Sequence, residues 1–359
     1  MNRRVVTFCV ATVLLLGMLV AVSQLPVPYV VLSPGPVADT LGSVPAGDGR
    51  DGQSGQPVIQ ISGAKTQPTD GHLYLTTVAL SPGDCNAHPR LLDAIKSWFN
   101  SHETVEPQQV QCPPGQSSEA VHQAGANEMA QSQTNAIIAA MTELGYKATG
   151  TLVVVESVAA GLPAASVIKS NDLILSADGK RVTRPQQLVD AVQALKPGTA
   201  VTLVVDRGGT QHSFSVQTAK GPNGRSRLGI TIGARPVFNG INVSIGLDPD
   251  VIGGPSAGAA LALGIIDKLT PGGLTGGRTI AGTGTIDKSG KVGPIGGIQQ
   301  KVAAAVSAGA TVFFAPASEC IDAKAAAPSS LTLVSVKTLR GAVEALEAIK
   351  SGSTAFPHC

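Results

Sequence analysis

The chain has 359 residues, enough for two domains and a sizeable core. Hydrophobic residues make up 43% and charged residues only 14%, which excludes a disordered chain. The net charge is +2 with no basic stripe, so nothing points to nucleic acid as a partner.

The N-terminus reads Met1-Asn2-Arg3-Arg4, followed by an apolar run from Val5 to Ser23. About 20 apolar residues cross a bilayer as a helix. Residues 5–23 are therefore read as a transmembrane helix. Arg3 and Arg4 hold residues 1–4 in the cytoplasm, which puts the body on the extracytoplasmic side of the cell membrane. A cleaved signal peptide is the competing reading, because Ala21-Val22-Ser23 offers small residues to a peptidase. The apolar run is long for that, and both readings export the body.

Residues 24–56 are rich in Pro and Gly and read as a linker, with Gly42 to Gln56 as a flexible loop. Pro57 to Ile61 and His72 to Val78 alternate like strands. Leu91 to Phe99 reads as a short helix. Ser118 to Leu144 reads as a longer one, ended by Gly145. From residue 148 to 222 the texture changes. Strands are expected at Thr151–Val155 and Asp172–Ala177, a helix at Pro185–Leu195, and a hairpin at Val201–Val205 and His212–Val216. Beyond it, Ile241 to Ala348 alternates strands and helices. Thr311–Pro316 and Leu331–Val336 read as buried strands and Arg340–Lys350 as a helix, before a tail at 351–359.

Cys9 lies in the apolar run. Cys85, Cys112, Cys320 and Cys359 form an even set in an oxidising compartment. Four cysteines allow three pairings. Cys85–Cys112 and Cys320–Cys359 are favoured because each pair brackets one local segment. The spacing does not suggest zinc, and no cofactor is implied.

The order of elements in 148–222, with Gly161-Leu162-Pro163-Ala164 and Asn171-Asp172-Leu173-Ile174 at its centre, resembles a bacterial PDZ domain. The resemblance implies a groove that binds the end of a peptide as an added strand. It puts the peptide carboxylate near Ala148-Thr149-Gly150-Thr151.

The chemistry centres on Gly253-Gly254-Pro255-Ser256-Ala257-Gly258 and on Lys301. The first run separates a β-like stretch, Ile241 to Ile245, from a helix-like one, Ala259 to Lys268. A serine there faces free N–H groups and a positive dipole end. Serine is also a preferred N-cap, which is the bland reading. Small neighbours leave room for another backbone, Pro255 constrains the turn, and N–H groups near Ser256 can hold an oxyanion. Lys301 sits at the edge of an apolar helical stripe of Ile298, Val302, Ala305 and Gly309. To be half neutral at pH 7 its pKa must fall from about 10.4, a cost of roughly 4.6 kcal/mol that only a dry site can impose.

Three motifs in order resemble the proteolytic domain of Lon-type proteases. They are Asp250 to Gly258, then Thr283-Gly284-Thr285-Ile286, then Gly290 to Lys301. The resemblance implies a Ser–Lys dyad of Ser256 and Lys301, with Thr283 as a hydrogen-bond partner of the lysine. Gly254, Pro255 and Ala257 would supply backbone around an oxyanion. Two positions depart from the family pattern: Gly253 and Thr285 stand where acidic residues are common. Gly71 to Thr76 and the Ser118–Leu144 helix resemble the beginning of the same domain. The implied fold is α+β. A Lon-type domain in two parts, 57–147 and 223–350, carries an inserted PDZ β-domain at 148–222 and follows one transmembrane helix.

No Gly-x-x-x-x-Gly-Lys-Ser/Thr phosphate loop occurs, so no ATP-driven unfoldase is expected. The implied function is an ATP-independent, membrane-anchored serine endopeptidase acting on polypeptides. Lon-type domains often form rings, so a homo-oligomer is among the implied partners. Two alternatives remain at this stage. Gly254 to Gly258 also fits the Gly-x-Ser-x-Gly elbow of esterases, whose only downstream histidine would be His358. An inactive, PDZ-bearing peptide-binding scaffold is the other.

Overall fold

A computed structural model describes residues 3–44, 55–221, 224–249 and 251–359. Most of the loop expected between Gly42 and Gln56 lies outside the described residues, as do Met1, Asn2 and Asp250.

Helix α1 (Arg3–Ser23) has no buried residue, and its mean hydropathy makes it a candidate membrane span. Its 21 residues span about 30 Å at 1.5 Å each, the thickness of a bilayer core.

The first part of the segment read as a linker contains a strand. β1 (Tyr29–Asp39) buries Val30, Val31 and Leu32. Its prolines misled the reading, because a proline cannot donate to a ladder. The ladder slips between Pro34 and Val37, so the missing N–H groups fall at an irregularity. Gly35 passes so close to β3 that a Cβ there would lie 2.8 Å from the Thr77 carbonyl carbon.

β2 (Ile59–Ser62) and β3 (His72–Ser81) follow, then α2 (Leu91–Trp98), β4 (Thr104–Pro107), the short α3 (Gln108–Gln111) and α4 (Ser118–Glu143). α4 starts cleanly because the Ser117 side chain accepts the Ala120 N–H. Its second half is buried almost all round, including Ser132 and Gln133.

The inserted unit comes next: β5 (Ala148–Val158), β6 (Leu173–Ala177), β7 (Lys180–Arg181), α5 (Pro185–Gln193), β8 (Ala200–Arg207), β9 (Thr210–Gln217), β10 (Ala219–Lys220), β11 (Ser226–Arg227) and β12 (Ile230–Phe238). Its sheet runs β12-β5-β6-β8-β9 with β7 beside β6. The unit therefore extends to Phe238, past the expected end at 222. β12 pairs along β5 from Ile230↔Val158 to Phe238↔Ala148, and Ile230 and Ile232 pack on the unit's own core of Val153, Ile174, Leu188 and Leu203.

The chain then returns to the body. β13 (Asn242–Ile245) pairs with β2, and α6 (Gly258–Leu269), β14 (Thr279–Gly282), β15 (Thr285–Ile286), β16 (Val292–Gly293), α7 (Ile298–Ser307), β17 (Val312–Pro316), α8 (Cys320–Ala326), β18 (Thr332–Val336) and α9 (Leu339–Lys350) follow. The main sheet is ordered β18-β17-β14-β3-β1-β4. β3, β14, β17 and β18 are parallel neighbours, and β17 is buried throughout, as a strand covered on both faces must be. α4, α6 and α9 cover one face through Met141, Leu261, Ile265 and Leu346; α7 and α8 cover the other through Val302 and Ala323. Adjacent Phe313 and Phe314 point to opposite faces and belong to the two different cores.

Cys85 is bonded to Cys112 and Cys320 to Cys359. The second bond holds the tail against β18, where the Ser335 N–H donates to the Pro357 carbonyl and Phe356 packs on the main core.

Because Gly35 has no room for a side chain, Gly35→Ala should destabilise the protein by about 1–3 kcal/mol. Denaturant unfolding of the two proteins measures this.

Candidate active site

The loop after β13 approaches α4 very closely. A Cβ on Gly253 would lie 3.3 Å from the Gly125 carbonyl carbon, and Gly254 adopts φ 85°. The close approach favours a small residue at 253, and the positive φ favours glycine at 254. The Gly254 N–H donates to the Gly125 carbonyl at 2.8 Å. That N–H is occupied, so Gly254 does not supply an oxyanion donor.

The next two carbonyls are also held. Ser132 Oγ donates to the Pro255 carbonyl at 2.8 Å. The Gly284 N–H and Thr283 Oγ1 donate to the Ser256 carbonyl at 2.9 and 3.1 Å. In a trans peptide the N–H points opposite the C=O. Fixing these two carbonyls therefore fixes the N–H groups of Ser256 and Ala257. Neither donates to an acceptor among the described residues.

Ala257, not Ser256, occupies the N-cap of α6. The bland role of a capping serine is absent. Ser256 Oγ instead lies 2.8 Å from Lys301 Nζ. Gly258 must be small, because a Cβ there would meet Ser132 Oγ and Ile286 Cγ2 at 2.7 Å.

Lys301 comes from the first turn of α7. The turn begins at Gly297, with φ 66°, where a Cβ would also strike Val78. The stripe-edge position becomes a buried one: Lys301 is 3% exposed and Thr283 is 2% exposed. Lys301 Nζ is 3.4 Å from Thr283 Oγ1. Burial pulls the Lys301 ammonium down to about 8, against the opposing pull of the Glu319 carboxylate. About a tenth of the amine is then neutral at pH 7.

A groove of about 810 Å³ opens at Ser256, lined mainly by apolar groups of β1, β3, Met129, Ile252 and Ile295. β14 pairs with β3 only as far as Leu75. Past that point one edge of β3, Thr76 to Leu80, faces the groove without a partner strand among the described residues.

α4 supplies residues that sequence patterns did not single out. Gly125 and Ser132 lie two turns apart on one face and hold the serine loop. Asn135 Nδ2 donates to the Ile286 carbonyl beyond Thr285. The same helix grips the inserted unit. Asn127 Oδ1 accepts from the Val158 N–H and from Ser170 Oγ, and Gln133 accepts from Asn171 Nδ2 while donating to the Leu247 carbonyl. Two polar residues in one buried stretch were the available signal. The His358 ring lies against Phe356 and contacts the Thr354 carbonyl in the tail, and it makes no hydrogen bond to Ser256 among the described residues.

The inserted unit carries a second, smaller groove between α5 and β11–β12, lined by Leu188, Val192, Leu228 and Ile230. Ser226 and Arg227 also line it. The expected carboxylate position, Ala148 to Thr151, sits at the far end of the sheet, opposite Pro236 to Phe238. The strand that lines the groove follows residue 222, so a unit ending there had lost one wall.

Residues 131–218 match the family model of the PDZ domain, and residues 238–347 that of the Lon protease (S16) C-terminal proteolytic domain. Among solved structures, the PDZ domain of the SdrC-like protein from Listeria innocua is 27% identical. It covers 23% of this chain and 92% of that one, with a TM-score of 0.22. The corresponding domain from Listeria monocytogenes is 25% identical, covers 24% and 90%, and has a TM-score of 0.21. A solution structure from Geobacillus thermodenitrificans is 28% identical, covers 22% and 94%, and also has a TM-score of 0.21. A comparison with curated proteins found no match. The chain thus contains a PDZ domain and a Lon-type proteolytic domain.

The buried amine carries a stability signature. Its folded pKa of about 8 lies below that of the unfolded chain, so between about 8 and 10.5 the unfolded state holds the extra proton. Stability should rise with pH through that window. Lys301→Met should be more stable than the parent at pH 7, by at most roughly 3 kcal/mol, with the difference shrinking as pH rises from about 8 to 10.5. Chemical denaturation across this range tests it.

Proposed function

We propose that this chain is an ATP-independent, membrane-anchored serine endopeptidase with Ser256 as nucleophile and Lys301 as general base. The observation that carries the reading is a lysine amine, shielded from water, 2.8 Å from a serine hydroxyl that has no other task. The matched Lon-type proteolytic domain supports the reaction class.

In this reading the neutral Lys301 accepts the Ser256 proton as Oγ attacks a peptide carbonyl. The N–H groups of Ser256 and Ala257 receive the developing oxyanion, held in aim by Ser132, Thr283 and Gly284. Lys301, now an ammonium, donates its proton to the leaving amine. Water then releases the acyl group, with Lys301 again as base. Thr283 Oγ1 positions the amine. The free edge of β3 accepts the substrate backbone as an added strand.

The proteolytic domain is interrupted by the PDZ domain and includes β1. Its sequence has no phosphate loop, so its substrates are flexible segments of exported or membrane-associated proteins. The groove beside α5 takes an extended or C-terminal peptide, for delivery or control. Lon-type rings make a homo-oligomer part of the proposal.

Ser256→Ala and Lys301→Ala should each lower cleavage of a labelled unstructured protein by at least about a thousandfold while circular dichroism stays native. Full activity in either folded variant removes the dyad. For the parent, kcat/KM should climb with pH and level off above about 8, as the amine loses its proton.

Ser132→Ala should leave the pH profile in place. It should lower kcat about 10–100-fold with little change in KM, because the Ser256 N–H loses its aim. Kinetics on a quenched fluorogenic peptide separate the two constants.

A further inference from the structure

α2 carries an apolar stripe that the body leaves uncovered. Leu92, Ile95, Trp98 and Phe99 follow helical spacing on its outer side. Trp98 is 72% exposed and Phe99 85% exposed. Only Ala94 is buried against the protein. Asp93 and Lys96 flank the stripe as a loose exposed pair. An exposed aromatic stripe of this kind on a small helix marks an interaction surface.

The position of α2 identifies the partner. Its first N–H, that of Leu91, donates to the carbonyl of Leu25, two residues past the end of α1. The Val27 N–H donates to the Pro89 carbonyl, and Pro26 bridges to Arg90. The other end of this corner is clamped as well. The Gln108 N–H donates to the Pro28 carbonyl, Gln108 Nε2 donates to the Cys85 and Ala87 carbonyls, and Cys85 is bonded to Cys112. If α1 spans a bilayer, these bonds keep α2 at the level where the chain leaves it. Tryptophan and phenylalanine beside lysine and arginine suit the boundary between acyl chains and headgroups.

We propose that α2 lies in the surface of the bilayer that α1 crosses, with Leu92, Ile95, Trp98 and Phe99 at the acyl boundary. This membrane contact, distinct from the span, seats the folded body against the lipid and limits its rotation about α1. The inference rests on the anchoring reading of α1 and not on the catalytic one.

Trp98 is the single tryptophan of the chain, so its fluorescence reports on this site alone. The full chain is reconstituted in vesicles of phosphatidylcholine and phosphatidylglycerol, with and without bromine on the phosphatidylcholine acyl chains. Resistance to alkaline carbonate extraction first establishes that α1 is inserted; release at that step defeats the anchoring reading itself. With α1 inserted, bromolipid should quench Trp98 at least about twofold, blue-shift should accompany reconstitution, and aqueous iodide should have little effect. Leu92→Ser combined with Ile95→Ser should restore iodide quenching while the chain stays resistant to extraction. Trp98 quenched by iodide and untouched by bromolipid overturns the inference. Trp98 shielded from both overturns it too, since a protein surface such as a second copy then covers the stripe.

Discussion

The site depends on one costly arrangement, an amine shut away from water beside a hydroxyl. Desolvation disfavours the charged form of Lys301, and only that makes it a candidate base near neutral pH. The surroundings supply little compensation. Thr283 Oγ1 is a distant partner at 3.4 Å, and Glu319 pulls the other way only in part. A fold that keeps such a group accepts lower stability for it.

Around that pair the backbone is held peptide by peptide. Gly125 fixes Gly254, Ser132 fixes the carbonyl of Pro255, and Thr283 with Gly284 fixes that of Ser256. Two of these anchors come from α4 and two from the turn after β14, elements far apart in the chain. α4 also bonds to the PDZ domain through Asn127 and Gln133. The PDZ domain and the serine loop therefore share one helix, and Gln133 spans both by donating to the carbonyl of Leu247.

The N-terminal third has a second organising constraint, the corner where α1 meets the body. Short backbone bonds and the Cys85–Cys112 link fix α2 and α3 to the segment leaving α1. β1 then runs directly into the main sheet between β3 and β4. Among the described residues, no slack tether separates α1 from the body.

Much of this was legible from residue order. Alternation and helical spacing located β3, α4, α5, β17, β18 and α9, because each repeats its pattern over enough residues to outweigh local noise. The resemblance of the three motifs around Ser256, Thr283 and Lys301 to Lon-type proteases marked the residues that meet, and close backbone approach explains the small residues Gly253 and Gly258 beside them. Other features needed the third dimension. Pro34 and Pro36 hid β1, whose irregular ladder absorbs them. β12 joined the PDZ sheet only because its nine pairs with β5 close across a long sequence gap, and with it came the groove wall at Ile230 and Ile232. The burial of Lys301, the aim of the Ser256 and Ala257 N–H groups and the role of Ser132 were likewise decided by packing. Solvent exclusion and carbonyl anchoring belong to surfaces brought together, and a linear pattern records only one side of such a contact.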